Sequence, residues 1–233
     1  MSSLADIRAR SRLSDIVEGQ PQHLGIALLM TLGAVALLTQ PADAPRLLGL
    51  TAVGWAQLSI VLALLHQAVV ALVFRLQLHR GLLSRLFGDR DMAVWRAIFM
   101  PLLVLRPLTL LMTGWADVVP LTGWRWPEVA AGVALVAAAV WAMHSVLVHF
   151  TIPRALGGDH FRDEIAAMPL VDKGAFAVTA NAMYGVAFLG LWGIALLFGS
   201  WNALVLALFQ HAYIWVHMYC TEKPDMDWIH GNR

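Results

Sequence analysis

Asn181-Ala182-Met183-Tyr184-Gly185, an apolar run to Phe198, the break Gly199-Ser200, a second apolar run to Cys220, and the close Thr221-Glu222-Lys223-Pro224 decide how this chain folds. Each run crosses, or nearly crosses, a bilayer core of ~30 Å at about 1.5 Å per helical residue. Gly199-Ser200-Trp201-Asn202 is too short for a soluble connection. The two runs are therefore expected to form a tight helical hairpin, with both outer ends at one membrane face. Polar and aromatic side chains gather at those ends. A hairpin that met only lipid would need no such cluster, so this one reads as built to hold a ligand.

The rest of the chain fits a membrane setting. Of 233 residues, 59% are hydrophobic and 13% charged, about half the charge of an ordinary soluble domain. The net charge of +1 gives no argument for a nucleic-acid partner, and none is expected. Cys220 is the single cysteine, which excludes an internal disulfide and a cysteine-only metal site, and no metal is expected. Arg8, Arg10 and Arg12 are interspersed with Asp6, Asp15 and Glu18 in a polar start, which has no cleavable-leader pattern, so the first apolar segment reads as a retained span.

The expected fold is all-α, a polytopic membrane bundle of about six transmembrane helices ending in the hairpin. Residues 1–22 read as a short amphipathic or disordered arm on the cytoplasmic side. Residues 23–150 hold four spans, at about 23–40, from Trp55 past Val73, 97–113 and 128–150. Pro101 and Pro107 predict a kink in the third. Trp115, Trp124 and Trp126 suit the headgroup region. Residues 151–233 form a polar lead-in, the hairpin and a tail. With six spans, 13 of the 16 basic residues fall on the side of the termini. Arg46 and Arg125 fall opposite, and Arg106 lies within the membrane. The positive-inside rule then puts both termini in the cytoplasm, in an inner (cytoplasmic) membrane.

Several residues could carry chemistry. His211, Trp215, Tyr219 and Glu222 are spaced by four, four and three, and so share a helical stripe. Tyr213, His217 and Cys220 share another. They serve either as interfacial anchors or as a site, and Glu222 is either a solvated charge at a helix end closed by Pro224 or a functional carboxylate. Arg106 would meet a lipid phosphate, or else snorkel or pair with a carbonyl freed by a proline. His66, His144, His149 and His211 leave room for a bis-histidine haem core.

Residues 171–185, Val-Asp-Lys-Gly-Ala-Phe-Ala-Val-Thr-Ala-Asn-Ala-Met-Tyr-Gly, resemble the approach to the catalytic hairpin of integral-membrane S-adenosylmethionine-dependent methyltransferases. That superfamily includes phosphatidylethanolamine N-methyltransferase and isoprenylcysteine carboxyl methyltransferase. Its members carry Gly-Pro-Tyr, then Arg-His-Pro-x-Tyr or Asn-Pro-Met-Tyr, a hairpin, and paired glutamates. Here Gly174-Ala175-Phe176 and Asn181-Ala182-Met183-Tyr184 stand for the first two elements, and Glu222 for one glutamate. Leu156-Gly157-Gly158-Asp159-His160-Phe161 is similar to the Leu-Gly-Asp-Tyr-Phe turn of the phospholipid enzymes. The chain departs from the pattern at Ala180, Ala182 and Thr221, which stand for the arginine, the proline and the first glutamate.

The resemblance covers about residues 150–230, and its Asn-x-Met-Tyr form is that of the phospholipid branch. It implies S-adenosylmethionine as methyl donor and the amine of a phosphatidylethanolamine-type membrane lipid as acceptor. A thiol or carboxylate of another small amphiphile is the alternative. The implied cofactor site comprises Gly157, Gly158, Asn181, Met183, Tyr184, Gly185, His211, Trp215, Tyr219 and Glu222. Glu222 and His217 take the catalytic roles, and Arg106 the substrate's phosphate.

Overall fold

Backbone polar groups in a bilayer must be satisfied within their own segment, so long apolar stretches fold as helices. The computed structural model describes residues 3–231, and the described residues form helices, turns and isolated bridges. Two short helices, α1 (Leu4–Arg10) and α2 (Leu13–Ile16), precede the long α3 (Gln20–Leu37) and α4 (Ala52–Arg80). A short α5 (Leu82–Phe87) leads into α6 (Asp91–Ala116), and α7 (Arg125–Ser145) follows. The polar lead-in holds α8 (Ile152–Ala155) and α9 (Asp163–Ala166). The hairpin is α10 (Leu189–Phe198) and α11 (Trp201–His217), and α12 (Lys223–Ile229) closes the chain.

The chain passes through the bundle six times. Five passes have helices long and apolar enough to cross a bilayer. Contacts fix the alternation. The end of α3, the loop after α6 and the hairpin tip meet through Thr39, Asp117 and Asn202. The start of α3, the C-terminal half of α4 and the chain beyond α11 meet at the opposite end, where both Gln20 and Arg75 reach the Cys220 carbonyl. α11 lies at the centre, packed against α3, α4, α6 and α10. Leu24, Leu29 and Leu72 project outward, as lipid-facing side chains do. Trp115, Trp124 and Trp126 are 68–86% exposed at the hairpin-tip end, in keeping with an interfacial belt.

Two expectations are revised: the full-length fifth span and the stop at Pro224. The fifth pass is a ten-residue helix, about 15 Å long, led in by irregular turns over 181–188. Ala182 in that stretch is buried and its neighbours are half-buried, and the turns are closed by backbone bonds such as Val186 N–H to the Ala182 carbonyl at 3.0 Å. α7 and α10 also approach closely, since a Cβ on Gly132 would come within 2.9 Å of the Gly193 carbonyl. α6 runs through Pro101 and Pro107 as one helix. The N-terminal arm is folded: Ser3 caps α1, Leu4 and Ile7 are buried, and the Leu4 N–H donates to Asp163 at 2.8 Å. Pro224 does not end the helix after α11; the chain widens into a π-turn, Met218–Glu222, and continues as α12.

Candidate active site

The outer ends of the hairpin do meet. The Tyr184 hydroxyl donates to Glu222 Oε2, joining the irregular turn before α10 to the π-turn after α11. His217 Nε2 lies 3.4 Å from Glu222 Oε1. The His217 ring is 1% exposed, and neither of its nitrogens has a hydrogen-bond partner among the described residues. Trp215 packs edge-on to Tyr184 at 6.2 Å between centroids and stacks on Tyr219 at 6.1 Å. A carboxylate, a buried imidazole facing it and aromatic faces are thereby gathered at one end of the bundle.

Glu222 opens onto a cleft of about 180 Å³, lined by Phe74, Phe150, Gly157, Asp159, His160 and Met226 among others. One wall is the turn Gly157-Gly158-Asp159-His160. Gly157 adopts φ +73°, and a Cβ there would sit 2.3 Å from the Phe74 ring. Glycine is therefore required both for the backbone conformation and for contact with α4. His160 stacks on Phe74 at 4.2 Å between centroids. Its Nδ1 faces Asp159 at 2.8 Å and its Nε2 faces Asp225 at 3.1 Å, while Arg75 meets the other Asp225 oxygen at 2.9 Å.

Burial opposes charge on His160, but Asp159 and Asp225 outweigh it and push the imidazole up to about 10. It is an imidazolium at neutral pH, donating from both nitrogens. Asp159 is also buried, which favours its neutral acid, yet His160 holds it below the usual carboxylate range. This Asp159–His160–Asp225–Arg75 chain fixes the cleft wall to α4 and α12.

Other expected site residues lie elsewhere. His211 accepts from Trp192 Nε1 at 2.9 Å and packs against Phe188, deeper in the bundle than the cleft. Met183 packs against the apolar cluster that includes Val146 and Phe176. Asn181 and Gly185 shape the turn through the Gly185 N–H to Asn181 carbonyl bond of 2.8 Å. Gly158 is packed against Pro153 and Ile165. Tyr219 is 62% exposed. Arg106 is buried, meeting Gln210 Oε1 at 3.0 Å, the Gln210 carbonyl, and the Phe188 ring at 5.3 Å. Its main partner is thus a side-chain amide rather than a carbonyl freed by proline.

The four candidate haem histidines are dispersed. His66 faces Phe99 and His211 faces Trp192, while His144 lies on an exposed face of α7 and His149 is half-buried.

Sequence reasoning missed Arg75 and Asp225 altogether. The signal for Arg75 is an arginine in the last turns of a long apolar helix. Asp225 follows Pro224, which was read as a stop.

Residues 127–233 match the phospholipid methyltransferase family. A phosphatidylethanolamine N-methyltransferase of Lodderomyces elongisporus is 31% identical over 108 residues, 46% of this chain and 12% of that relative. One from Scheffersomyces stipitis is 34% identical over 74 residues, 32% of this chain and 9% of that relative. The matches thus span about an eighth or less of these curated relatives. No solved structure matches. The matched segment holds the cleft turn, Tyr184, His217, Glu222 and Asp225. Residues 127–233, a little under half of the chain, are thus similar to the phospholipid methyltransferase family, the branch of the integral-membrane methyltransferases that the motifs resemble.

Proposed function

We propose that this protein transfers a methyl group from S-adenosylmethionine to the amine of a phosphatidylethanolamine-type phospholipid, at the bundle end that carries Glu222. Both termini would then lie in the cytoplasm, in keeping with the 13-to-2 distribution of basic residues. The observation that carries the reading is the meeting of Tyr184, His217 and Glu222 beside the cleft, inside the segment that matches the phospholipid methyltransferase family.

The donor set suits such a cofactor. Glu222 and Asp159 offer carboxylates at the cleft, and Trp215 and Tyr184 offer ring faces that attract a cation. The cleft is small beside the ~300–1,000 Å³ of sites that bury drug-sized ligands. It would hold one end of a nucleoside-sized molecule, with the remainder in its open mouth. When bound, the cofactor supplies an electrophilic methyl on a sulfonium centre.

The chain's own residues would prepare the acceptor. A headgroup amine must present a free lone pair, so its proton has to leave. His217, whose Nε2 faces Glu222 at 3.4 Å and whose Nδ1 has no hydrogen-bond partner among the described residues, is the proposed acceptor of that proton. Glu222 would draw the headgroup ammonium in, with Tyr184 fixing its orientation. Arg106 would pair with the lipid phosphate, exchanging its present bonds to Gln210. A carboxylate at the site favours an ammonium over an anionic acceptor, which sets an amine above a carboxylate substrate.

Isothermal titration with S-adenosylhomocysteine tests the reading. The wild-type protein and Arg106→Leu should bind it alike, and only the wild type should methylate phospholipid efficiently. Absence of binding to the wild type would refute the cofactor assignment. Loss of binding in Arg106→Leu alone would take that arginine out of the phosphate role.

A further inference from the structure

Glu222 does not stand on a regular helix. Residues five apart on an α-helix point about 140° away from each other at 3.6 residues per turn, yet His217 and Glu222, five apart, are 3.4 Å apart. Tyr219 and Glu222, three apart, would share a face of an α-helix. Here Tyr219 points outward while Glu222 turns in to Tyr184 and the cleft. Both departures come from the π-turn Met218–Glu222, in which the Lys223 N–H reaches back five residues to the Met218 carbonyl.

Pro224 supplies the cause. It has no N–H for the Cys220 carbonyl four residues back, and its ring would collide with that carbonyl in a regular helix. The freed carbonyl is taken up from outside. Gln20 Nε2 reaches it at 3.3 Å and Arg75 NH2 at 3.4 Å. Gly19 passes so close, at φ +75°, that a Cβ there would lie 2.1 Å from the same oxygen. Arg75 NH2 also holds the Glu18 carbonyl at 2.9 Å, and Arg75 NH1 pairs with Asp225 at 2.9 Å just beyond the turn. Arg75 is 2% exposed in its side chain and Asp225 is fully buried.

We propose that Arg75 and Gln20 are positioning residues for Glu222, holding open the π-turn that Pro224 imposes. The geometry of the site is thus set in part by α3 and α4, outside the segment that matches the family. This inference rests on the proposed function, because it needs Glu222 in the site.

Pro224→Ala tests it. The alanine restores an N–H, so the turn can relax to an α-helix and carry Glu222 away from His217. Phospholipid methylation should fall about tenfold or more, the equivalent of one lost hydrogen bond to a charged group. The thermal midpoint should stay level or rise, since a proline leaves the helix. In a Glu222→Gln background the same change should cost nothing further, because it acts through that carboxylate. Gln20→Leu, a milder change than removing buried Arg75, should lower methylation in the same non-additive way.

Retained methylation in Pro224→Ala, or a loss that adds fully to that of Glu222→Gln, would overturn the positioning role. A parallel fall in thermal midpoint and methylation would also overturn it, leaving only a structural proline. Full activity in Glu222→Gln itself would instead fail the proposed function, so the two failures are distinguishable.

Discussion

The two ends of this bundle treat buried polar groups in opposite ways. At the hairpin tip, Asp117 accepts from Ser200 Oγ at 2.6 Å and from the Asn202 backbone and side chain at 3.0 Å. Asn202 also exchanges bonds with Thr39, and Glu128 is met by Thr122 and Arg125. These groups answer one another and close the loops. At the other end, His160, Asp225 and Arg75 are joined by ion pairs, but the neighbouring His217 has only the 3.4 Å approach of its Nε2 to Glu222, and its Nδ1 has no hydrogen-bond partner among the described residues. Glu222 faces a cleft there. A buried polar group without a partner costs about 1–3 kcal/mol. On the proposed function a ligand would complete such a group, and the contrast then supports stability at one end and chemistry at the other.

Substitutions should separate the two. Glu222→Gln keeps the shape and removes the charge, so turnover should drop by more than about 10²-fold, within the range for losing a key polar group at a reacting centre. Its thermal midpoint should stay close to wild type; unimpaired turnover would leave Glu222 as a helix-end charge. His217→Asn should lower turnover by about 10²-fold, the lower bound for general-base help. Donor affinity should hardly change, and a matching loss of S-adenosylhomocysteine affinity would argue against a base.

Asp117→Asn, at the opposite end, should cost about 1–3 kcal/mol of stability through its unmet donors, with activity per folded molecule unchanged. Reduced specific activity in that variant would blur the division between ends.

A further effect is expected on pH dependence. His160 is raised from 6.5 to about 10 in the fold. Its stabilisation is therefore complete below about pH 6.5 and drains away as pH rises towards 10. His160→Gln should flatten that part of the stability profile; an unaltered slope would show that His160 does not titrate there.

The contrast also explains what could be read from sequence. Six passes, the tight tip at Gly199-Ser200 and the approach of Tyr184 to Glu222 follow from apolar run length, turn residues and topology. Hydrophobic runs report on burial in lipid directly, so this level was legible. The short α10 was not, because the run from Tyr184 to Phe198 is apolar whether its backbone is a helix or irregular turns. The inward face of Glu222 was not legible either. A 3.6-residue stripe places it with Tyr219, and the π-turn that breaks the stripe depends on Gln20 and Arg75, about 200 and 145 residues away. Pro224 carried the only local sign, and a proline reads equally well as a stop. Arg106 is a similar case: its charge marked it out, while its partner Gln210 is set by packing between α6 and α11.

The central claim is that the Glu222 end of the bundle methylates a membrane lipid's amine. The direct measurement reconstitutes the purified protein in phosphatidylethanolamine vesicles with S-adenosylmethionine bearing a labelled methyl group, and reads the lipids by mass spectrometry. The account predicts label on the ethanolamine nitrogen with the wild-type protein and its near-absence with Glu222→Gln. Unlabelled phosphatidylethanolamine from a wild-type protein that binds S-adenosylhomocysteine would contradict it.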